Sequence, residues 1–192
     1  MGNIILCGFM GCGKTSVGRR VAALTGREFC DLDQYIEGRA GMSVSEIFAR
    51  FGEAGFRERE AQAVGEVAGK PGLIVASGGG TVLAQKNVDA FHAAGGTIVF
   101  LDAPLAALQE RLKNDKRRPL LQVPDRSRVI AELFGKRTPL YQAAADIIVD
   151  AGAPPVTVAR RIAGLSKREP SGIERGRSHP DLWVKPNGSS ER

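Results

Sequence analysis

Gly8-Phe9-Met10-Gly11-Cys12-Gly13-Lys14-Thr15 fits the pattern G-x-x-x-x-G-K-[ST], a spacing suited to holding phosphate. Glycines let the backbone curl so that successive N–H groups point inward at one anion. A helix starting at the end of such a loop adds free N–H donors and a partial positive charge. Lys14 supplies a point charge for the β- and γ-phosphates of a nucleotide, and Thr15 a hydroxyl for Mg²⁺. Gly11, Cys12, Gly13 and Ser16 complete the expected nucleotide contacts.

Further along lie other residues with chemical capacity. Asp31 and Asp33 flank Leu32 at the end of a short apolar run. On an extended chain both carboxylates point to one side. Beside a phosphate loop they suit Mg²⁺ binding and activation of a hydroxyl; the alternative, a helix N-cap before Gln34–Glu37, suits Asp33 alone and leaves Asp31 unexplained. Arg57 sits in the charged run Phe56-Arg57-Glu58-Arg59-Glu60. It belongs either to a solvated helix face or to a pocket where it grips a carboxylate. Ser77-Gly78-Gly79-Gly80-Thr81 follows an apolar run, and three glycines at a strand's C-terminal end allow close backbone approach to a ligand. Arg111 to Arg118 is rich in cations and ends at Pro119. Such a segment is either a solvated loop or a lid that closes over a nucleotide.

The elements that must position these residues alternate in type. Apolar runs at 3–7, 28–33, 73–76, 97–101 and 147–149 read as buried strands. Helical patterns fill 16–24, 54–68, 88–94, 104–112, 127–145 and 155–165, and Pro139 is expected to kink or break the fifth of them. Ser43-Val44-Ser45-Glu46 is a capping box opening a further helix that Gly52 ends. The result is a P-loop type, doubly wound α/β fold: a five-stranded parallel sheet flanked by helices. It carries a small helical substrate-binding region at about 33–61 and a mobile lid at about 112–124. Residues 1–165 are expected to form a single domain. Residues 166–192, dominated by Pro, Gly, Ser and charge, are expected to be a disordered tail.

The chain has 192 residues, 25% charged and 43% apolar, with a net charge of +6. Much of the positive excess lies in 111–118 and the tail, without interleaved aromatic residues, so a small anionic ligand is the expected partner rather than nucleic acid. No run approaches the roughly 18–20 apolar residues of a membrane span. The N-terminal strand leads straight into the glycine loop and lacks a signal-peptide profile. The three cysteines have no zinc-type spacing. These features point to a cytoplasmic protein without a membrane partner.

Together, Gly8–Thr15, Asp31-Leu-Asp33, Gly55-Phe56-Arg57-x-x-Glu60, Ser77–Gly80, Arg118-Pro119-Leu120-Leu121 and Arg137-x-Pro139-Leu140-Tyr141 resemble the shikimate kinase family. The blocks stand in the family's order and span roughly 3–165. The resemblance implies transfer of phosphate from ATP, with Mg²⁺, to the 3-hydroxyl of shikimate, a step toward chorismate and the aromatic amino acids. It implies a monomer. It gives Asp33 the substrate hydroxyls and the role of base, and Asp31 with Thr15 the metal. Arg57 and Arg137 would hold the substrate carboxylate, Gly78, Gly79 and Gly80 would lie against the ring, and Glu60 would orient Arg57. Phe48 and Phe56 would wall the pocket. Arg118 would contact phosphates beside Lys14, and Arg111 would stack on adenine. The stretch Asp150–Pro154 lacks the arginine that family members often carry near the base. A related kinase acting on another polyol acid, such as gluconate, and a nucleotide-binding regulator are the alternative readings.

Overall fold

The computed structural model describes residues 1–115, 121, 123–166 and 182–184. The first strand, β1 (Ile4–Cys7), is buried along its whole length, as a strand covered on both faces must be. The phosphate loop follows, then α1 (Lys14–Thr25), β2 (Phe29–Asp31), α2 (Leu32–Ala40) and α3 (Val44–Ala68). Next come β3 (Ile74–Ala76), a single 3₁₀ turn (Thr81–Leu83), α4 (Gln85–Ala93) and β4 (Thr97–Asp102). The chain continues with α5 (Leu105–Leu112), α6 (Arg126–Ala144), β5 (Ile147–Asp150), α7 (Pro155–Ser166) and β6 (Leu182–Val184). The sheet order is β2-β3-β1-β4-β5-β6. The first five strands are parallel, and β6 joins β5 antiparallel.

The five-stranded parallel sheet is therefore present, and its strands place Cys7, Asp31, Ala76, Asp102 and Asp150 at one edge. In α/β sheets that carboxyl edge is where ligands bind. Helix α1 packs on α7, while α3 packs on α2 and α4. Fully buried Val21, Val64, Phe91, Leu108 and Ile162 are typical anchors, each stabilising by about 1.5–3 kcal/mol relative to an exposed side chain. Gly18 lets α1 lie close on β2: a Cβ there would stand 2.6 Å from the ring of Phe29.

Three local expectations need correction. Asp31 and Asp33 do not alternate along a strand: β2 stops at Asp31, which caps α2, and Asp33 lies in the helix's first turn. Buried Leu32 anchors the junction, and the Asp31 carboxylate competes successfully for a helix N–H. Pro139 does not end its helix, since α6 runs through it. The residue four positions earlier is Gly135, and the chain beyond the proline is fixed by wholly buried Tyr141, whose packing outweighs the roughly 3 kcal/mol cost of an interior proline. Finally, the tail is not without structure at Leu182–Val184, which pairs with the open backbone edge of β5; the rest of 167–192 lies outside the described residues. The expected breaks elsewhere are present. Ser43 and Glu46 form a reciprocal capping box, and Gly52, at φ 66° and ψ −173°, interrupts α3 with a conformation open almost only to glycine.

No helix among the described residues is long and apolar enough to cross a membrane.

Candidate active site

The loop between β1 and α1 turns through three glycines at positive φ: Gly8 at 138°, Gly11 at 79° and Gly13 at 102°. Side chains rarely adopt such values, which explains the residue type at each bend. The Lys14 ammonium folds over the loop and donates to the carbonyls of Gly8 at 2.8 Å and Phe9 at 3.2 Å. The Thr15 hydroxyl donates to Asp31 Oδ2 at 2.9 Å, while Asp31 Oδ1 accepts from the Gln34 backbone at 3.5 Å. A hydroxyl and a carboxylate thus meet beside the loop. This hard, all-oxygen pair fits Mg²⁺, which takes one or two protein ligands and completes its shell with water and phosphate. Among the described residues no group of three His, Cys, Asp or Glu side chains gathers into a cage.

Asp33 lies next to this pair. The protein crowding its carboxyl withdraws water and pushes its pKa upward; Asp31 adds to the shift, Lys14 opposes it, and Glu60 and Glu37 add further. Its neighbour is the glycine stretch after β3. A Cβ on Gly78 would stand 2.8 Å from Asp33 Oδ1 and 3.4 Å from Glu60 Oε1. One on Gly79 would stand 3.9 Å from Arg137 Nη1, and one on Gly80 only 2.6 Å from both terminal nitrogens of Arg57. Three bare backbone positions therefore bring together an aspartate from α2, an arginine from α3 and an arginine from α6.

The supports of these side chains are specific. Arg57 Nη1 donates to Glu60 Oε2 at 2.8 Å, and Glu60 is only 1% exposed. The other Glu60 oxygen accepts from the Thr81 hydroxyl at 2.8 Å, and the Thr81 carbonyl accepts from Asn87 Nδ2 at 2.9 Å. Phe48 and Phe56 stack at 4.6 Å beside them. Tyr141 Oη donates to the Gly79 carbonyl at 2.5 Å; burial raises its pKa to about 12 against the opposing charge of Arg137. Sequence reasoning did not assign Thr81, Asn87 or Tyr141. The available signals were the hydroxyl directly after the three glycines and a tyrosine one helical turn beyond Arg137.

On the other side of the phosphate loop is a cavity of about 270 Å³, walled by Gly11, Ser16, Arg111, Ala151, Ala153 and Pro155. Cys12 and Gly13 also border it. Arg111 Nη1 donates to the Gly11 carbonyl at 3.1 Å. In the stretch without an arginine, small apolar side chains form the wall, and a flat aromatic base suits such a surface. Arg118, with 116–120 and 122 of the expected lid, lies outside the described residues.

The family model for shikimate kinase matches residues 10–165. The shikimate kinase of Aromatoleum aromaticum is 48% identical over 149 residues, covering 78% of this chain and 85% of that protein. The shikimate kinase of Halorhodospira halophila is 43% identical over 169 residues, covering 88% and 95%. Among solved structures, a shikimate kinase from Acinetobacter baumannii in complex with shikimate is 36% identical and superposes with a TM-score of 0.81, covering 88% of this chain and 96% of that one. With its phosphate loop, its glycine-lined cleft and a family match over most of its length, the chain belongs to the shikimate kinase family.

Proposed function

We propose that the chain transfers the γ-phosphoryl group of ATP to the 3-hydroxyl of shikimate, giving shikimate 3-phosphate and ADP on the route to chorismate. The observation that carries this reading is the convergence of Asp33, Arg57 and Arg137 on Gly78–Gly80, next to a phosphate loop. Two guanidinium groups suit a carboxylate, whose two oxygens match their planar donor forks. A carboxylate between them and the loop suits a hydroxyl acceptor. A nucleotide switch has no use for such a second site.

In this reading the loop N–H groups hold the phosphates. Lys14 exchanges its two carbonyl partners for β- and γ-phosphate oxygens and stabilises the charge of the transferring group. Thr15 and Asp31 hold Mg²⁺, which when bound neutralises charge between those phosphates. Arg57 and Arg137 fix the substrate carboxylate. Asp33 accepts hydrogen bonds from the substrate hydroxyls and takes the proton of the one that attacks. Gly78–Gly80 allow the ring to approach the backbone, and Arg111 lies against the base. Arg118 is assigned to the phosphates on the resemblance alone. The same reading makes the protein a cytoplasmic monomer.

The test is Arg137→Ala, assayed with ATP and either shikimate or gluconate as acceptor. Loss of a hydrogen bond to a charged group, about 1.5–3 kcal/mol, should raise the KM for shikimate roughly ten- to hundred-fold. ATP binding measured without shikimate should stay unchanged. Weakened ATP binding with an unchanged shikimate KM, or turnover of gluconate in preference to shikimate, would refute the assignment.

A further inference from the structure

Arg126, in the first turn of α6, donates to three carbonyls outside its own helix. Its Nε reaches Leu121 O at 2.8 Å, and its Nη1 reaches Leu112 O at 3.2 Å and Lys113 O at 2.5 Å. Leu112 ends α5 and Lys113 is its C-cap, so both carbonyls are among those a helix end leaves without intrahelical partners; Leu112 O accepts from the Asp115 backbone at 3.1 Å as well. A cation there also suits the negative end of the helix dipole. The next link is to the phosphate loop. Leu112 packs on Gly11, where an added Cβ would stand 3.2 Å from its Cγ. Arg111 donates to the carbonyl of that same glycine. Fully buried Leu121 fixes the third carbonyl in the core.

We infer that Arg126 is a positioning residue for the nucleotide site: it holds the end of α5 so that Arg111 and Leu112 stay seated on Gly11 and the base cavity keeps its outer wall. The inference rests on reading that cavity as the base site. Arg126 itself borders neither the cavity nor the glycine stretch where the acceptor is placed. Its loss should therefore weaken nucleotide binding selectively. Gln109 makes the other described side-chain link between α5 and α6, to Ser127 O and Oγ at 3.2 and 2.8 Å. It leaves the Leu112 and Lys113 carbonyls alone and serves as the control.

The experiment is calorimetric titration of the full chain with ADP alone and with shikimate alone, for wild type, Arg126→Ala, Arg111→Ala, the double variant and Gln109→Ala. Arg126→Ala should weaken ADP roughly three- to ten-fold and leave shikimate within two-fold. The double variant should lose less ADP affinity than the two single losses combined, because residues acting through one another are not additive. Gln109→Ala should match wild type. Additive losses in the double variant, or equal weakening of both ligands by Arg126→Ala, would overturn the inference. If Arg111→Ala weakens ADP and Arg126→Ala does not, the inference fails while the base-site reading stands. If neither does, the base-site reading fails first. Should Arg126→Ala not fold, Arg126→Lys replaces it. A single ammonium cannot span all three carbonyls, so its ADP affinity should fall between those of wild type and Arg111→Ala, and a wild-type value would overturn the inference.

Discussion

Glu60 and Arg57 stand three residues apart on α3, joined by a 2.8 Å ion pair in which the carboxylate is buried and the guanidinium about one-third exposed. With its second oxygen on Thr81, Glu60 uses both ends of its carboxylate and ties α3 to the turn after Gly80. Glu60→Gln keeps the shape but removes the charge that draws Arg57 toward Gly80. Arg57 would then favour Glu53, already 3.3 Å away on the solvent side. The shikimate KM should rise several-fold with ATP affinity unchanged, as steady-state kinetics with each substrate varied would reveal. Equal changes for both substrates would argue that Glu60 only stabilises the fold.

Gly80→Ala sets space against stability. The new methyl would fall 2.6 Å from the guanidinium nitrogens of Arg57, the movable end of a long side chain. The fold should tolerate it, with a melting temperature within a few degrees of wild type. The carboxylate clamp should not, and the shikimate KM should rise about ten-fold or more. Gly18→Ala should show the reverse pattern, because its methyl meets the fixed ring of Phe29. Thermal melts alongside kinetics would separate the two.

Asp102 and Asp150 are register partners at the ends of β4 and β5. Burial, then the charge of Asp150, raises the Asp102 carboxyl above its ordinary value. A raised carboxyl favours the folded state while protonated and loses that contribution as pH climbs through the folded value. Asp102→Asn should therefore gain in melting temperature over wild type as pH rises from about 3 to neutrality. A constant offset across that range would contradict this.

Truncation after Ser166 removes β6 and opens the outer edge of β5. A loss of about 1 kcal/mol would lower the melting temperature by roughly 2–4 °C for a chain of this size. The bared edge should also promote self-association at high concentration. Melting curves and light scattering would register both effects, and an unchanged pair would show that the strand adds nothing.

The phosphate loop and its flanking strand and helix were legible because all their determinants are neighbours in sequence. The five parallel strands were legible for the same reason: each is a short apolar run closed by a turn signal. The acceptor side was different. Nothing near Arg57 or Arg137 says that they approach adjacent glycines, since that depends on how α3 and α6 cross the sheet edge, and only the family resemblance joined them. Asp31 and Asp33 misled because two alternating carboxylates look alike on a strand and at a helix start. Buried Leu32 decides between them, and burial is a tertiary fact. The Leu182–Val184 pairing escaped notice because three apolar residues carry no period. Their partner strand ends at Asp150, 31 intervening residues before Leu182.

Trp183 is the only tryptophan in the chain, and it sits at the sheet margin opposite Ile148, 40% exposed. Two residues beyond that pairing β5 ends, and the chain turns into Ala151 of the base cavity wall. Tryptophan emission therefore comes from a single optical reporter attached to the periphery. Fluorescence melts will record detachment of the last strand, whereas circular dichroism will record loss of the helices. Where the two curves part, the interval between them measures how independently that margin comes away.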